Sequence, residues 1–191
     1  MKFVMASFML MVLLGNVQAE GPYQATGIKI CEVDQNSAII WTRLTRISER
    51  LGKDHPKPIV RYKDPETGEL KPRKGRPNRL PVVRFPDGSD VHTIEGAVPG
   101  IAGDVRVRYA VQGKKDWQET NWQAVDSDRD FIRQIKLVNL QPGTAYQVEV
   151  ESRTGEMGQM LTGRFRTAPS VDRSERIVFH VTTGQAYGDQ D

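Results

Sequence analysis

Leu140-Gln141-Pro142-Gly143-Thr144-Ala145-Tyr146-Gln147-Val148-Glu149-Val150-Glu151 is the stretch whose reading decides the fold class. Tyr146, Val148 and Val150 alternate with Gln147, Glu149 and Glu151. That period of two sends apolar side chains to one face of a strand and polar ones to the other. Pro142 and Gly143 supply the turn before it, because proline presets φ and glycine tolerates the positive φ that many turns require. Tyr146 is placed for its ring to enter a core while its hydroxyl reaches a backbone group a few residues upstream. A buried phenol needs such a partner.

The same alternation recurs on both sides. Val105, Val107, Tyr109 and Val111 alternate with Arg106, Arg108 and Ala110, giving a strand with one wet face. Phe131 to Val138 carries Ile135 and Leu137 on one side, Trp122 to Val125 is a short strand, and Leu161 to Thr167 is anchored by Phe165. Upstream, Thr26 to Val33 and Ser37 to Leu44 flank an Asp34-Gln35-Asn36 turn. Ala38-Ile39-Ile40-Trp41 is an unbroken apolar run, and Trp41 is read as the core anchor of the second strand. No segment sustains a 3.6-residue period, so the expected class is all-β, an antiparallel sandwich. Cys31 is the one cysteine of the 191 residues, which excludes an intramolecular disulfide. Beside Ile30 and Val33 it reads as a small buried hydrophobe.

Between Thr45 and Asp104 the pattern dissolves. Pro56, Pro58, Pro65, Pro72, Pro77, Pro81 and Pro86 remove ladder donors, so a central strand is not expected there. Residues 45–104 read as an insertion in which Ile59 to Tyr62 and Leu80 to Phe85 form a small hairpin or pack on the sandwich edge. The net charge of +3 is concentrated here: Arg50 to Arg84 holds eleven Lys and Arg against four acids, which leaves the rest of the chain net acidic. Lys71, Arg73, Lys74 and Arg76 form a run dense enough to attract an anionic polymer or glycan through counterion release. The run lacks the interleaved aromatics that stack bases, and a solvated face is its plainer reading. Trp117 and Trp122 flank a polar stretch, where they serve either as sugar platforms or as packing against the sandwich or a neighbouring domain.

The two ends read differently from the middle. Lys2, the apolar run Phe3 to Leu14 and the small residues of Val17-Gln18-Ala19 form a signal peptide over residues 1–19. The apolar run falls short of the about 20 residues a spanning helix needs, and no later stretch is apolar enough to cross a bilayer. The mature chain is therefore expected outside the cytoplasm. After a polar linker, residues 170–176, comes Ile177-Val178-Phe179-His180-Val181 and then the Gly-rich turn Thr182-Thr183-Gly184-Gln185-Ala186-Tyr187-Gly188-Asp189. A short dense apolar strand that runs into such a turn is how an α/β domain opens.

Two resemblances follow. The 140–146 turn and Tyr146, with Trp41 and the Phe165-Arg166-Thr167-Ala168-Pro169 strand end, resemble the tyrosine corner, core tryptophan and last strand of fibronectin type III and immunoglobulin-like sandwiches, over residues 22–169. The sandwich followed by the strand at 177–191 is similar to the start of alkaline phosphatase D-like (PhoD-like) metallophosphoesterases. Ala25-Thr26-Gly27-Ile28-Lys29, Ile40-Trp41-Thr42-Arg43 and Gly96-Ala97-Val98-Pro99-Gly100 extend that likeness. It implies an exported accessory domain ahead of a C-terminal phosphoesterase domain that works through divalent metal or iron. Where many members carry a cysteine ligand this chain has Gly184, which cannot coordinate. Asp189 and Asp191 lie in the region that follows such a strand, as ligands or as a solvated chain end. The three histidines, His55, His92 and His180, show no metal-binding spacing, so no complete catalytic or metal site is expected in these residues.

Overall fold

Alternate residues of four strands supply a core between two facing sheets. The computed structural model describes residues 21–72, 81–176 and 178. In chain order the strands are β1 (Lys29–Cys31), β2 (Ala38–Arg43), β3 (Ile59–Lys63), β4 (Leu70–Lys71), β5 (Pro81–Arg84), β6 (Asp104–Val111), β7 (Gln118–Glu119), β8 (Gln123–Ala124), β9 (Ile132–Leu137), β10 (Ala145–Thr154) and β11 (Glu156–Arg166). The helical content of the described residues is a 3-10 turn, Ser127–Arg129, and among those residues no helix is long and apolar enough to cross a membrane.

One sheet has the order β1-β2-β9 and the other β11-β10-β6-β7, with β8 also paired to β6, all antiparallel. Ala38 and Ile40 of β2, and Leu44 just beyond it, face Val105 and Val107 of β6, Ile135 and Leu137 of β9, and Val148 and Val150 of β10. The architecture is a fibronectin type III-like sandwich. Its corner is made by Tyr146, whose buried ring stacks on Phe165 with centroids 5.3 Å apart. The Tyr146 hydroxyl accepts the Gln141 backbone N–H at 2.9 Å.

A buried polar bridge ties the sheets together. Gln24, ahead of β1, donates through Nε2 to the carbonyls of Val150 and Gln159, each at 3.0 Å, and accepts the Thr42 hydroxyl at 2.6 Å. Its side chain therefore bonds β2 on one side and β10 with β11 on the other. Such a group is stabilising only while every polar atom has a partner.

Two expectations are corrected. Trp41 is not the core anchor: Ile40 is fully buried, whereas Trp41 points to the outer face of β2, half-buried under Lys29, whose Nζ lies 4.6 Å from the ring centroid. Cys31 is exposed, because it pairs with Ile39 and so shares the parity of Trp41. Both follow from the pleat, since moving one residue along a strand changes the face. β1 is also shorter than Thr26 to Val33, the chain turning at Gly27, whose φ is +71°. β11 starts earlier than Leu161, because Gly155 (φ +82°) closes a hairpin that runs Thr154 onto Glu156.

The insertion holds a separate three-stranded sheet where a small hairpin or packing on the sandwich edge was expected. β3 is central, with β4 and β5 antiparallel on either side, and both faces are largely exposed. Its stem is fastened: Arg46 and Leu51 donate N–H to the carbonyls of Pro99 and Ala97 at 2.8 and 2.9 Å, and Thr45 bridges Gly100. Gly100 has no substitute here, since a Cβ would sit 1.9 Å from the Phe131 ring. The stem bonds offset the cost of bringing the two ends together, which grows only slowly with loop length. The signal segment, the 182–191 turn, His180 and most of the strand expected from Ile177 lie outside the described residues.

Ile40→Ala is expected to cost about 2–5 kcal/mol in denaturant unfolding, the usual loss for a buried aliphatic cut to a methyl. Trp41→Ala removes a cation–π contact of about 0.5–1 kcal/mol and partial packing, and is expected to cost less. A larger loss at Trp41 than at Ile40 would mean that β2 is turned the other way.

Candidate functional site

The outward residues of β6 and β10 meet in register. Arg108 stands opposite Glu149, Arg106 opposite Glu151 and Asp104 opposite Arg153. Arg108 Nη1 lies 2.6 Å from Glu149, Arg106 Nε bonds Glu151, and Arg153 Nε lies 3.1 Å from Asp104. Glu119 of β7 joins the array at 3.1 Å from Arg106. The tryptophans cover it. The Trp122 ring sits against two guanidiniums, Arg106 at 4.8 Å and Arg153 at 4.3 Å, and Trp117 lies 5.2 Å from Arg108. Both indoles are half-buried by these contacts. Their π faces hold cations of the same domain, and the array sets four acids against three arginines, so this face is a stiff, nearly neutral wall. Beside it a shallow groove is lined by Trp117, Gln147, Glu149, Thr162 and Arg164.

At the far end of β11 the chain is pinned as it leaves the sandwich. The buried Thr167 hydroxyl donates to the Gln141 carbonyl at 2.6 Å and accepts the Thr144 N–H at 2.9 Å. Ala168 N–H donates to the Asp34 carbonyl at 3.0 Å, and the Ala168 carbonyl accepts Gly143 N–H at 2.8 Å. These bonds fix the strand end to the corner turn and to the loop between β1 and β2.

The basic run does not come together as a described cluster. Lys71 pairs with Asp64 at 2.7 Å and with Glu69 at 3.7 Å, so its charge is met within the insertion. Arg73, Lys74, Arg76, Gly184, Asp189 and Asp191 lie outside the described residues. His55 and His92 are in loops, His55 3.7 Å from Asp54. Among the described residues no three His, Cys, Asp or Glu side chains are grouped to hold a metal. The described structure instead gathers three cations that sequence reading passed over. The β3–β5 register sets Arg61, Lys63 and Arg84 on one face of the small sheet. Arg61 and Lys63 are two apart on β3, and the antiparallel pairing brings in Arg84 from β5.

The hydrogen bond from Lys71, followed by the backbone N–H groups of Glu66 and Thr67, lowers the Asp64 carboxyl from 3.8 to about 2. A group depressed in the folded chain stabilises it above its unfolded pKa and loses that effect as pH falls through the folded value. The Asp64 contribution is thus full above about pH 4 and fades toward pH 2. A carbon-13 carboxyl titration is expected to place Asp64 near 2, and Lys71→Ala to raise it; an ordinary value in the parent chain contradicts the ion pair.

No family model matches the chain, and no curated protein does. Among solved structures, the chain is similar to a structure of PhoD at 13% identity and a TM-score of 0.42, over 77% of this chain and 19% of that one. The sensor domain of the anti-sigma factor RsgI4 of Pseudobacteroides cellulosolvens is similar at 12% identity and a TM-score of 0.37, over 75% and 93% of the two chains. A fibronectin type III domain from human KIAA0970 gives 13% identity and a TM-score of 0.32, over 82% and 83%. The likenesses are distant, and the sandwich is established by its own strand register.

Proposed function

We propose that this chain is the exported N-terminal accessory part of a PhoD-like phosphatase or phosphodiesterase, with the sandwich as a rigid base for a following metallophosphoesterase domain. The observation that carries the reading is the pinned exit at Thr167 and Ala168. A strand end bonded to a corner turn and to a loop of the opposite sheet gives whatever follows a fixed point of departure, which a supporting domain needs. The apolar strand from Ile177 and its Gly-rich turn support the same reading from sequence. The stiff Arg–Trp–Glu wall agrees with a scaffold role, since its aromatic faces are filled by its own cations. By that resemblance the chemistry would be hydrolysis of phosphate esters by water activated on divalent metal or iron. The described residues do not fit such a metal group, so no step of the reaction is assigned to them.

The product of the complete reading frame containing this chain, supplied with divalent metal or iron, is expected to hydrolyse p-nitrophenyl phosphate or its diester. Residues 20–191 alone are expected to turn over neither. A folded full-frame product without hydrolysis, checked by circular dichroism, would overturn the proposal.

A further inference from the structure

Three cations on one face of the insertion sheet have no acidic partner among the described residues. Arg61 and Lys63 are two apart on β3, so both side chains leave the same face. Arg84 is opposite Ile59 on β5 and therefore points the same way, diagonal to Arg61. All three are exposed. Asp64 and Glu69 hold Lys71, which lies opposite Tyr62 on the other face, and Glu95 holds Lys57. The opposite face carries Val60, Tyr62, Pro81 and Val83.

We propose that the face formed by Arg61, Lys63 and Arg84 is a docking surface for a linear phosphate-bearing polymer. Three points favour that occupant. Like charges about 7 Å apart, as neighbours two positions along a strand or diagonal across one are, repel unless something anionic lies across them. A single small anion would need donors that converge on one point, whereas these three side chains stand on an open, flat surface with Val82 and Ile59 between them. A polymer with a charge in each repeat meets all three at once and releases their counterions. Ile59, Val82 and Leu70 share the cationic face, but none is an aromatic of the kind that anchors at a membrane interface, so a polymer is favoured over a bilayer, which the vesicle arm below tests. This surface lies on the insertion, so it holds whether or not a phosphoesterase domain follows.

The test is fluorescence anisotropy with labelled linear polyphosphate as the probe, read across a salt series on the chain from residue 20 onward. Affinity is expected to fall as salt rises, with a log–log slope near −0.7 for each cation engaged. Combining Arg61→Gln, Lys63→Gln and Arg84→Gln is expected to flatten that slope by about 2, whereas Lys114→Gln with Lys115→Gln, on the sandwich body, leaves it unchanged. Arg61→Lys with Arg84→Lys keeps the charge and is expected to keep the slope, which separates lost charge from a misfolded arm. An unchanged slope in the triple variant overturns the proposal, as does binding to anionic phosphatidylglycerol vesicles without binding to polyphosphate.

Discussion

The structure depends on parity: in every core strand the residues that face inward must be the apolar ones. β6 and β10 show how strict this is. With Val107 opposite Val150 and Arg106 opposite Glu151, the valines close the core while the charges pair outside it. A slip of one residue would bury Arg106, Arg108, Glu149 and Glu151 and expose four apolar side chains. Burying charges without partners costs far more than any local propensity can return. Register is therefore the constraint from which the rest of the domain follows.

Once register is set, the outer face organises itself. Cross-strand placement makes ion pairs of Arg108 with Glu149 and of Arg106 with Glu151, and the segment after β6 folds Trp117 and Trp122 onto the guanidiniums. These pairs are partly buried, and as a cross-braced array they hold the strands in one alignment. The Gln24 bridge performs the equivalent task across the core, joining β2 to β10 and β11 through three hydrogen bonds. The corner at Tyr146 and the pinned exit at Thr167 stiffen one end of the sandwich, and the fastened stem of the insertion sets where its small sheet projects.

The strands easiest to see in the sequence were those with clean alternation, 104–111 and 145–154. Their wet faces carry charges, so the two parities differ. The second strand was visible as a strand but not in its orientation. Ala38-Ile39-Ile40-Trp41 is apolar at every position, so composition cannot choose between Ile40 and Trp41, and the larger ring was the misleading choice. Cys31 failed for the same reason one strand away. The insertion strands were partly visible at 59–62 and 80–85, but β4 is only two residues long and the β3–β5 pairing joins segments distant along the chain. That hid the cationic face, whose members read along the chain as unrelated basic residues. Gln24 gave no signal either, because a lone glutamine before a turn looks like surface until the two sheets close around it.

Thiol labelling along two facing strands tests parity most directly. In a Cys31→Ser background, single cysteines placed at positions 105, 107, 135 and 137 are expected to react only as fast as the domain unfolds, since those sites lie in the core. Cysteines at 106, 108, 134 and 136 are expected to label in the folded state. Labelling that does not alternate, or that alternates with the opposite phase, would contradict the sandwich as described.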